Sequence, residues 1–112
     1  MTTVYKITKP DLTTYQGFQW VVGQEHRFSG KGDLCGPGFA HAYMSPELAV
    51  LLNPVHASYD PFILWRAEGV VAKEDHGLKV GCTSLTLLEP APTPMMTTEQ
   101  RVRFGMLCAL AV

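Results

Sequence analysis

The side chains best suited to bind a metal ion are three cysteines and four histidines, spread over a chain of 112 residues. Two pairs have the same separation of five intervening residues: Cys35 with His41, and His76 with Cys82. A zinc site needs four such ligands directed at one centre, and its usual mark is a closer C-x2-C spacing, which this sequence lacks. We therefore expect free thiols, no metal and no cofactor. A zinc site built from these four residues is the alternative.

A second candidate for chemistry is Cys35 itself, in the stretch DLCGPGFAHAYMSPELAVLL at residues 33–52. A cysteine paired with a histidine such as His41 acts as a nucleophile when the fold brings the two within hydrogen-bond reach. The glycines and prolines around Cys35 are more typical of a tight turn that leads into a helix, and they do not have phosphate-loop spacing. The stretch therefore predicts a sharp connection from sheet to helix.

Polar side chains also occur within the longest strand-like run. Arg66 and Glu68 share one face of that run because side chains in a strand alternate with period two. The simplest interpretation is an exposed polar face, with Glu68 as a candidate acid if that face borders a cleft.

The elements that must position these residues are mainly strands. Alternating or β-branched runs bounded by turn residues predict five to six strands of an antiparallel, twisted sheet. The runs are 4–8, 17–22, 25–28, 39–43, 61–73 and 78–89. Gly23 predicts a type II′ hairpin between the second and third runs, and Gly77 a turn between the last two. Gly69 and Gly81 are candidate bulge positions.

Two helices are expected to cover this sheet. Ser45 is a good N-cap, Pro46 suits the first helical position, and Asn53 with Pro54 ends a short helix at 45–53. A proline-rich tether at 89–96 leads to a second helix at 97–111, which begins with a capping box. The second helix is apolar almost all round, so we expect it to be buried by its own sheet or by a second copy in a homodimer.

Composition indicates one α+β domain spanning residues 1–112. Apolar residues make up 46%, charged residues 17%, and the net charge is −1, which are ordinary values for a globular domain. The nine basic residues are scattered among ten acidic ones, so direct binding of nucleic acid is disfavoured. The N-terminal segment has no secretory pattern and no run is long enough to span a membrane, so we expect a cytoplasmic location.

Most of the chain is similar to a family of small uncharacterised bacteriophage and prophage domains. The resemblance is carried by GFQWVVGQEHRFSGKGDLCGPGFAHAYMSPELAVLL, WRAEGVVAKEDHGLKVGCTSLTLLE and TTEQRVRFGMLCALAV. The family pattern has histidine directly after phenylalanine, whereas here Ala40 separates Phe39 from His41.

This resemblance implies a bacteriophage context and not a mechanism, because the family has no established activity. Small phage proteins without catalytic motifs often resemble inhibitors of a host enzyme or defence complex, anti-CRISPR proteins among them. We therefore expect a non-enzymatic module that binds and inhibits a host protein or protein complex. Loops 29–38 and 53–61 are the candidate surfaces. The candidate binding residues are Cys35, His41, Tyr59, Trp65 and Arg66.

The alternative function is enzymatic. Tyr5, His41 and Glu68 stand in an order that loosely resembles a reduced ADP-ribosyltransferase, which binds NAD between two small sheets. On that hypothesis His41 positions NAD and Glu68 polarises a ribose hydroxyl.

Overall fold

The computed structural model describes residues 1–34, 36–57, 59–75 and 77–94. They form an antiparallel sheet of five strands and one short α-helix, which confirms the predicted small α+β domain with mainly antiparallel strands. The elements are β1 (Thr2–Thr8), a single turn of 3-10 helix (Tyr15–Gly17), β2 (Glu25–Arg27), β3 (Ala40–Ala42), α1 (Pro46–His56), β4 (Ile63–Asp75) and β5 (Lys79–Pro90). The helix predicted at 97–111 lies outside the described residues.

The sheet curves so that the chain directly after β3 pairs with β1. Its order is β1-β4-β5-β2, and β3 pairs with β5 further along the same edge that binds β2. Directly after β3, Tyr43 pairs with Tyr5 of β1 through two backbone hydrogen bonds of 2.7 and 2.9 Å. The pairing therefore runs from β1 through β4, β5 and β3 back to β1, as in a small barrel.

The inside of this ring holds the larger apolar cluster. Its buried members come from four strands of the ring and from Trp20 of the loop before β2; they are Val4, Trp20, Ala40, Ala42, Trp65, Ala67, Val80, Cys82, Leu85 and Leu87. The strand period of two also directs Lys6 and Thr8 of β1 inward, where both are buried. Thr8 accepts a hydrogen bond of 2.9 Å from the indole Nε1 of Trp65, so the polar end of that buried ring is satisfied.

Helix α1 packs against the outside of the ring. Ser45 caps it as predicted, because its Oγ accepts from the backbone N–H of Leu48 at 3.2 Å. The prediction that it ends at Asn53 is wrong by one turn, since the helix continues through Pro54 to His56. Proline removes one helical donor near the end of the helix, and the final turn persists because the N–H of Ala57 donates to the carbonyl of Asn53 at 2.9 Å.

The hairpin of β4 and β5 forms close to its predicted position. Gly77 has φ +75°, and the N–H of Leu78 donates to the carbonyl of Asp75 at 2.8 Å, which closes the turn. The register shifts lie beside Arg66 and around Val71 rather than at Gly69. Gly69 does not mark a bulge. It allows the two strands to approach closely, because a Cβ at this position would lie 2.8 Å from the carbonyl oxygen of Ser84.

The strand predicted at 17–22 is absent. That part of the chain forms a loop with the 3-10 turn at 15–17, an isolated bridge between Thr13 and Gln19, and a turn closed by a 3.2 Å bond from the N–H of Gln24 to the carbonyl of Val21. Gly17, at the start of the predicted strand, has φ +75°, which is incompatible with extended backbone. Gly23, with φ +82°, is the third residue of its turn, the position of glycine in a type II turn rather than a type II′ turn.

Candidate functional site

The candidate binding residues from the sequence lie in different environments. Trp65 is inside the ring and 5% exposed, so its ring is not available to a partner in this fold. Arg66 points outward and bonds through Nε to Glu89 at 2.9 Å. Tyr59 is half-buried behind α1, where burial raises the pKa of its hydroxyl and the Lys9 ammonium lies 5.7 Å from its ring centroid.

His41 and Cys82 lie on opposite faces of the sheet. Ala40 and Ala42 face the interior with Cys82, so His41 between them points outward, where its Nε2 contacts the carbonyl oxygen of Leu34. This contact ties β3 to the glycine-rich loop before it. Cys35 and His76, the other two candidate metal ligands, lie outside the described residues.

The candidate catalytic residues Tyr5, His41 and Glu68 are not gathered at one point. Glu68 pairs with Thr3 on one side of β1, while His41 precedes the Tyr43 bridge on the other side and lies toward Ile7. Thr3 and Ile7 are four residues apart along β1, so Glu68 and His41 are separated by about 13 Å in the strand direction. Tyr5 lies between these two positions.

Two shallow grooves mark the described surface. One, of about 320 Å³, lies beside the Arg66–Glu89 ion pair and is otherwise lined by Tyr5, Pro46, Glu47, Pro90, Ala91, Pro92 and Pro94. The other, of about 400 Å³, is lined by Lys9, Pro10, Asp11, Tyr59, Asp60 and Pro61. Within the described ranges, no group of three or more histidine, cysteine, aspartate or glutamate side chains could hold a metal ion.

A buried lysine, Lys6, lies among the apolar side chains of the interior. Lys6 is 9% exposed, and burial lowers its pKa to about 8, an effect that the nearby Cys82 thiol partly opposes. Its ammonium donates to the carbonyl oxygen of His41 at 2.6 Å and lies 5.5 Å from the centroid of the Trp20 ring. Burial likewise raises the pKa of Cys82 to about 11, so this thiol is protonated and unreactive at neutral pH.

Several exposed apolar side chains belong to the loop of residues 12–24, which we call the apolar loop. Four of its large hydrophobic residues face solvent: Tyr15 (78% exposed), Phe18 (38%), Val21 (47%) and Val22 (45%). Because these exposed apolar side chains are close together in sequence, the loop is a candidate surface for contact with another protein.

Hydrogen bonds hold the apolar loop in one conformation. Trp20 is buried beneath it, with its N–H bonded to the carbonyl of Leu12 at 2.9 Å and its indole Nε1 to Oγ1 of Thr14 at 3.0 Å. The side-chain amide of Gln19 donates to the carbonyls of Asp11, Leu12 and Trp20 at 3.0 to 3.3 Å. The exposed residues are therefore displayed on a preorganised segment.

Aromatic rings connect the apolar loop to β2. Phe18 lies 5.1 Å from Trp20, 5.4 Å from His26 and 5.6 Å from Phe28, measured between ring centroids. The imidazole of His26 lies 4.8 Å from Trp20, and its buried Nε2 has no hydrogen-bond partner among the described residues. We call these four rings the ring cluster.

Comparison with known proteins identifies the family. A family model described as Domain of unknown function (DUF7666) matches residues 2–99. The chain belongs to this family. No curated protein and no solved structure shows a significant match to it. Among the described residues of this DUF7666 domain, no helix is long and apolar enough to cross a membrane.

Sequence reasoning missed the apolar loop as the exposed surface of this DUF7666 chain. The signal was present at Trp20, Val21 and Val22, three consecutive apolar residues that a strand with one buried face cannot all bury. Only Trp20 is buried, and the two valines face solvent.

Proposed function

We propose that this domain is a protein-binding module that acts by covering a surface of another protein. The observation that carries the proposal is the exposure of Phe18, Val21 and Val22 on a loop held by the buried Trp20. Binding through such a surface buries apolar area, and a loop already fixed in its bound shape loses little conformational entropy on association.

The contact residues that we assign are Tyr15, Phe18, Val21 and Val22, with the aromatic pair as anchors. Aromatic side chains carry a large share of the energy at protein interfaces because they bury much area with few rotatable bonds. Phe18 packs on the ring cluster and is therefore already oriented.

A more specific version of this proposal is that the domain inhibits its partner by covering a functional surface of that partner. This form is supported by the resemblance of the sequence to bacteriophage and prophage domains. The partner class is then a host enzyme or defence complex in the cytoplasm, as for anti-CRISPR proteins.

The test uses three versions of the full chain as bait in a lysate of the native cell: the unmodified protein, the double variant Val21→Ser/Val22→Ser, and Val70→Ser. Val70 is a matched control because its exposure, 46%, is close to that of Val21 (47%) and Val22 (45%), but it belongs to β4 and not to the apolar loop. Retained proteins are quantified by mass spectrometry, and the affinity of the retained partner is then measured with purified components.

We expect one stoichiometric partner that the unmodified chain and Val70→Ser retain equally. The double variant should lose at least roughly tenfold in affinity, because two desolvated contacts are removed. Retention that is equal for all three baits, or the absence of any stoichiometric partner, would contradict the proposal.

The enzymatic alternative is examined with the same protein preparations. A ligand that binds the folded state raises the melting temperature by mass action. We expect no shift at millimolar NAD, whereas a clear shift, or a bait-dependent nucleotide adduct on a lysate protein, would favour the ADP-ribosyltransferase hypothesis.

A further inference from the structure

We infer that residues 101–112 bind back onto their own domain and cover the groove beside the Arg66–Glu89 ion pair. This segment lies outside the described residues. We call its binding site the proline groove, which is lined by Tyr5, Pro46, Glu47, Pro90, Ala91, Pro92 and Pro94. The partner proposed for the apolar loop plays no part in this contact.

The described chain ends in the wall of the proline groove. The N–H of Ala91 donates to the carbonyl of Leu64 at 2.8 Å, so the chain stays bound to β4 just past the end of β5 at Pro90. Pro92 and Pro94 have no N–H with which to continue the ladder. Pro94, the last described residue, is half-buried and lines the groove. The following segment is therefore attached directly to its proposed binding site.

The segment is long enough to lie across the groove. Seven residues lead from Pro94 to Arg101, and an extended chain of that length spans up to roughly 23 Å. A segment tethered this closely has an effective concentration on the order of millimolar at its own groove. Attachment therefore favours binding within one chain over binding to a second copy.

The apolar residues of the segment match the lining of the groove. Phe104–Val112 contains no charged side chain, so burial of this stretch is favourable. The groove offers four proline rings, the ring of Tyr5 and the methyl group of Ala91. Its volume of about 320 Å³ gives room for a few side chains and not for a folded domain.

The charges of the groove and of the segment are complementary. The groove carries two carboxylates, of which Glu89 is bonded to Arg66 at 2.9 Å. Glu47 is exposed in the first turn of α1 and belongs to neither of the ion pairs found among the described residues. The segment begins with Arg101 and Arg103. We therefore place these two arginines beside Glu47 and the apolar residues after them over the prolines.

The proline groove lies where three elements meet. Tyr5 belongs to β1 at its pairing with Tyr43, Pro46 is the first residue of α1, and Pro90 is the last residue of β5. A segment bound in the groove contacts all three elements. It therefore acts as a strap that holds the helix against the place where the ring of strands closes.

Disulfide trapping in the full chain tests this contact, because Cys108 supplies a thiol within the segment. The parent protein carries Cys35→Ser, and Cys82 is buried and unreactive. Pro46→Cys then places a second thiol in the wall of the groove. Mild oxidation links the two thiols only when their Cα atoms come within about 7 Å of each other.

Lys31→Cys in the same parent protein is the control. Lys31 is exposed on the glycine-rich loop, which Lys73 holds through a bond of 2.8 Å to the carbonyl of Gly32. Lys73 lies seven residues from Arg66 along β4, a distance of about 23 Å. The control thiol is therefore exposed at the opposite end of the hairpin from the groove.

We expect Pro46→Cys to link to Cys108 within one chain at least roughly tenfold faster than Lys31→Cys does, because only the first pair is held together. Non-reducing electrophoresis separates links within a chain from links between chains, and peptide mass spectrometry identifies the linked pair. Gly105→Cys and Ala109→Cys, each combined with Cys108→Ser, present the thiol from two other positions of the segment.

Equal rates for the groove and the control would overturn the inference, because they would describe a segment with no preferred site. The absence of a link from all three thiol positions would overturn it as well. Links that join two chains would also overturn it and would assign the groove to a second copy.

Charge reversal tests the placement of the two arginines. Glu47→Arg should slow the link from Pro46→Cys to Cys108 about two- to fivefold, the effect of one exposed ion pair. Adding Arg101→Glu and Arg103→Glu to that variant should restore the rate, because the charges are opposite again. An unchanged rate in Glu47→Arg, or a failure of the added changes to restore it, would overturn this placement.

Discussion

The ammonium Nζ of Lys6 donates a hydrogen bond of 2.6 Å to the backbone carbonyl oxygen of His41. Lys6 lies on β1 and His41 on β3, so this bond crosses the seam at which the ring of strands closes. A buried ammonium is costly, and the bond to the His41 carbonyl offsets part of that cost. The energetic consequence is a stability that depends on pH.

The first prediction concerns the variant Lys6→Met. Because the pKa of Lys6 is lowered from 10.5 to about 8, the unfolded chain binds a proton between these values that the folded protein has lost. The free energy of unfolding therefore rises with pH across this window, by up to roughly 3 kcal/mol. Lys6→Met should abolish the rise.

Urea unfolding followed by tryptophan fluorescence at pH 7.5, 8.5 and 9 measures this effect. Cys82 opposes it at higher pH, since its raised pKa lowers stability between pH 9.0 and about 11. The exposed Lys31→Met is the control and should keep the slope of the unmodified protein. A flat profile in the unmodified protein would contradict the prediction.

The second prediction is that Cys82 resists alkylation while the protein is folded. Its side chain is fully buried, and burial raises its pKa from 9.0 to about 11. Since the thiolate is the nucleophile, a shift of this size alone slows the reaction with iodoacetamide roughly a hundredfold. Peptide-level mass spectrometry in buffer and in concentrated urea measures it. Equal labelling under both conditions would show that Cys82 is accessible.

Local structure was largely predictable from the sequence where one or two residues determine it. Ser45 caps α1 because its hydroxyl satisfies a helix N–H, and Gly77 closes the β4–β5 turn because that position needs positive φ. Pro54 shows the limit of such rules. A proline near the end of a helix removes one backbone hydrogen bond. The remaining bonds of the last turn are enough to continue the helix to His56.

The arrangement of the candidate site was not predictable because it depends on ring closure. The pairing of Tyr5 with Tyr43 joins segments far apart in sequence and decides which side chains face inward. Trp65 and Arg66 are adjacent in the chain, yet one is in the core and the other on the surface. A local pattern fixes this alternation but does not say which of its two faces is buried.

The third prediction concerns Asn53, whose buried side chain holds the loop after α1. Its Nδ2 donates to the carbonyl of Tyr59 at 2.8 Å, and its Oδ1 accepts from the N–H of the same residue at 3.0 Å. Asn53→Ala leaves both backbone groups without these partners and should lower the free energy of unfolding by about 2 kcal/mol.

Asn53→Asp is the matched variant for this clamp. It keeps the acceptor for the Tyr59 N–H but sets a carboxylate oxygen against the Tyr59 carbonyl oxygen, in a buried position near the C-terminal end of the helix, so its loss should be at least as large as that of Asn53→Ala. Removal of the helix cap in Ser45→Ala should cost about 1 kcal/mol. Chemical denaturation of the three variants gives the ranking, and an Asn53→Ala protein as stable as the unmodified one would show that the clamp contributes nothing.

The fourth prediction separates two reasons for glycine in the β4–β5 hairpin. At Gly69 a Cβ would lie 2.8 Å from the carbonyl oxygen of Ser84 and 2.9 Å from Cδ1 of Leu85. Gly69→Ala must therefore displace β5 and should cost about 1–3 kcal/mol, the range for an overpacked interior. At Gly77 a Cβ meets nothing within 4 Å, and only its φ of +75° favours glycine.

Substitution at Gly77 should accordingly depend on backbone preference alone. Gly77→Ala should cost about 1 kcal/mol, and Gly77→Asn less, because asparagine visits the left-handed region more readily than alanine. At Gly69 the order should reverse, since the larger asparagine adds to the crowding. Thermal or urea unfolding of the four variants measures the loss of stability for alanine and for asparagine at each position. An asparagine better tolerated than alanine at both positions would mean that Gly69, like Gly77, is kept for its conformation and not for the close approach of β5.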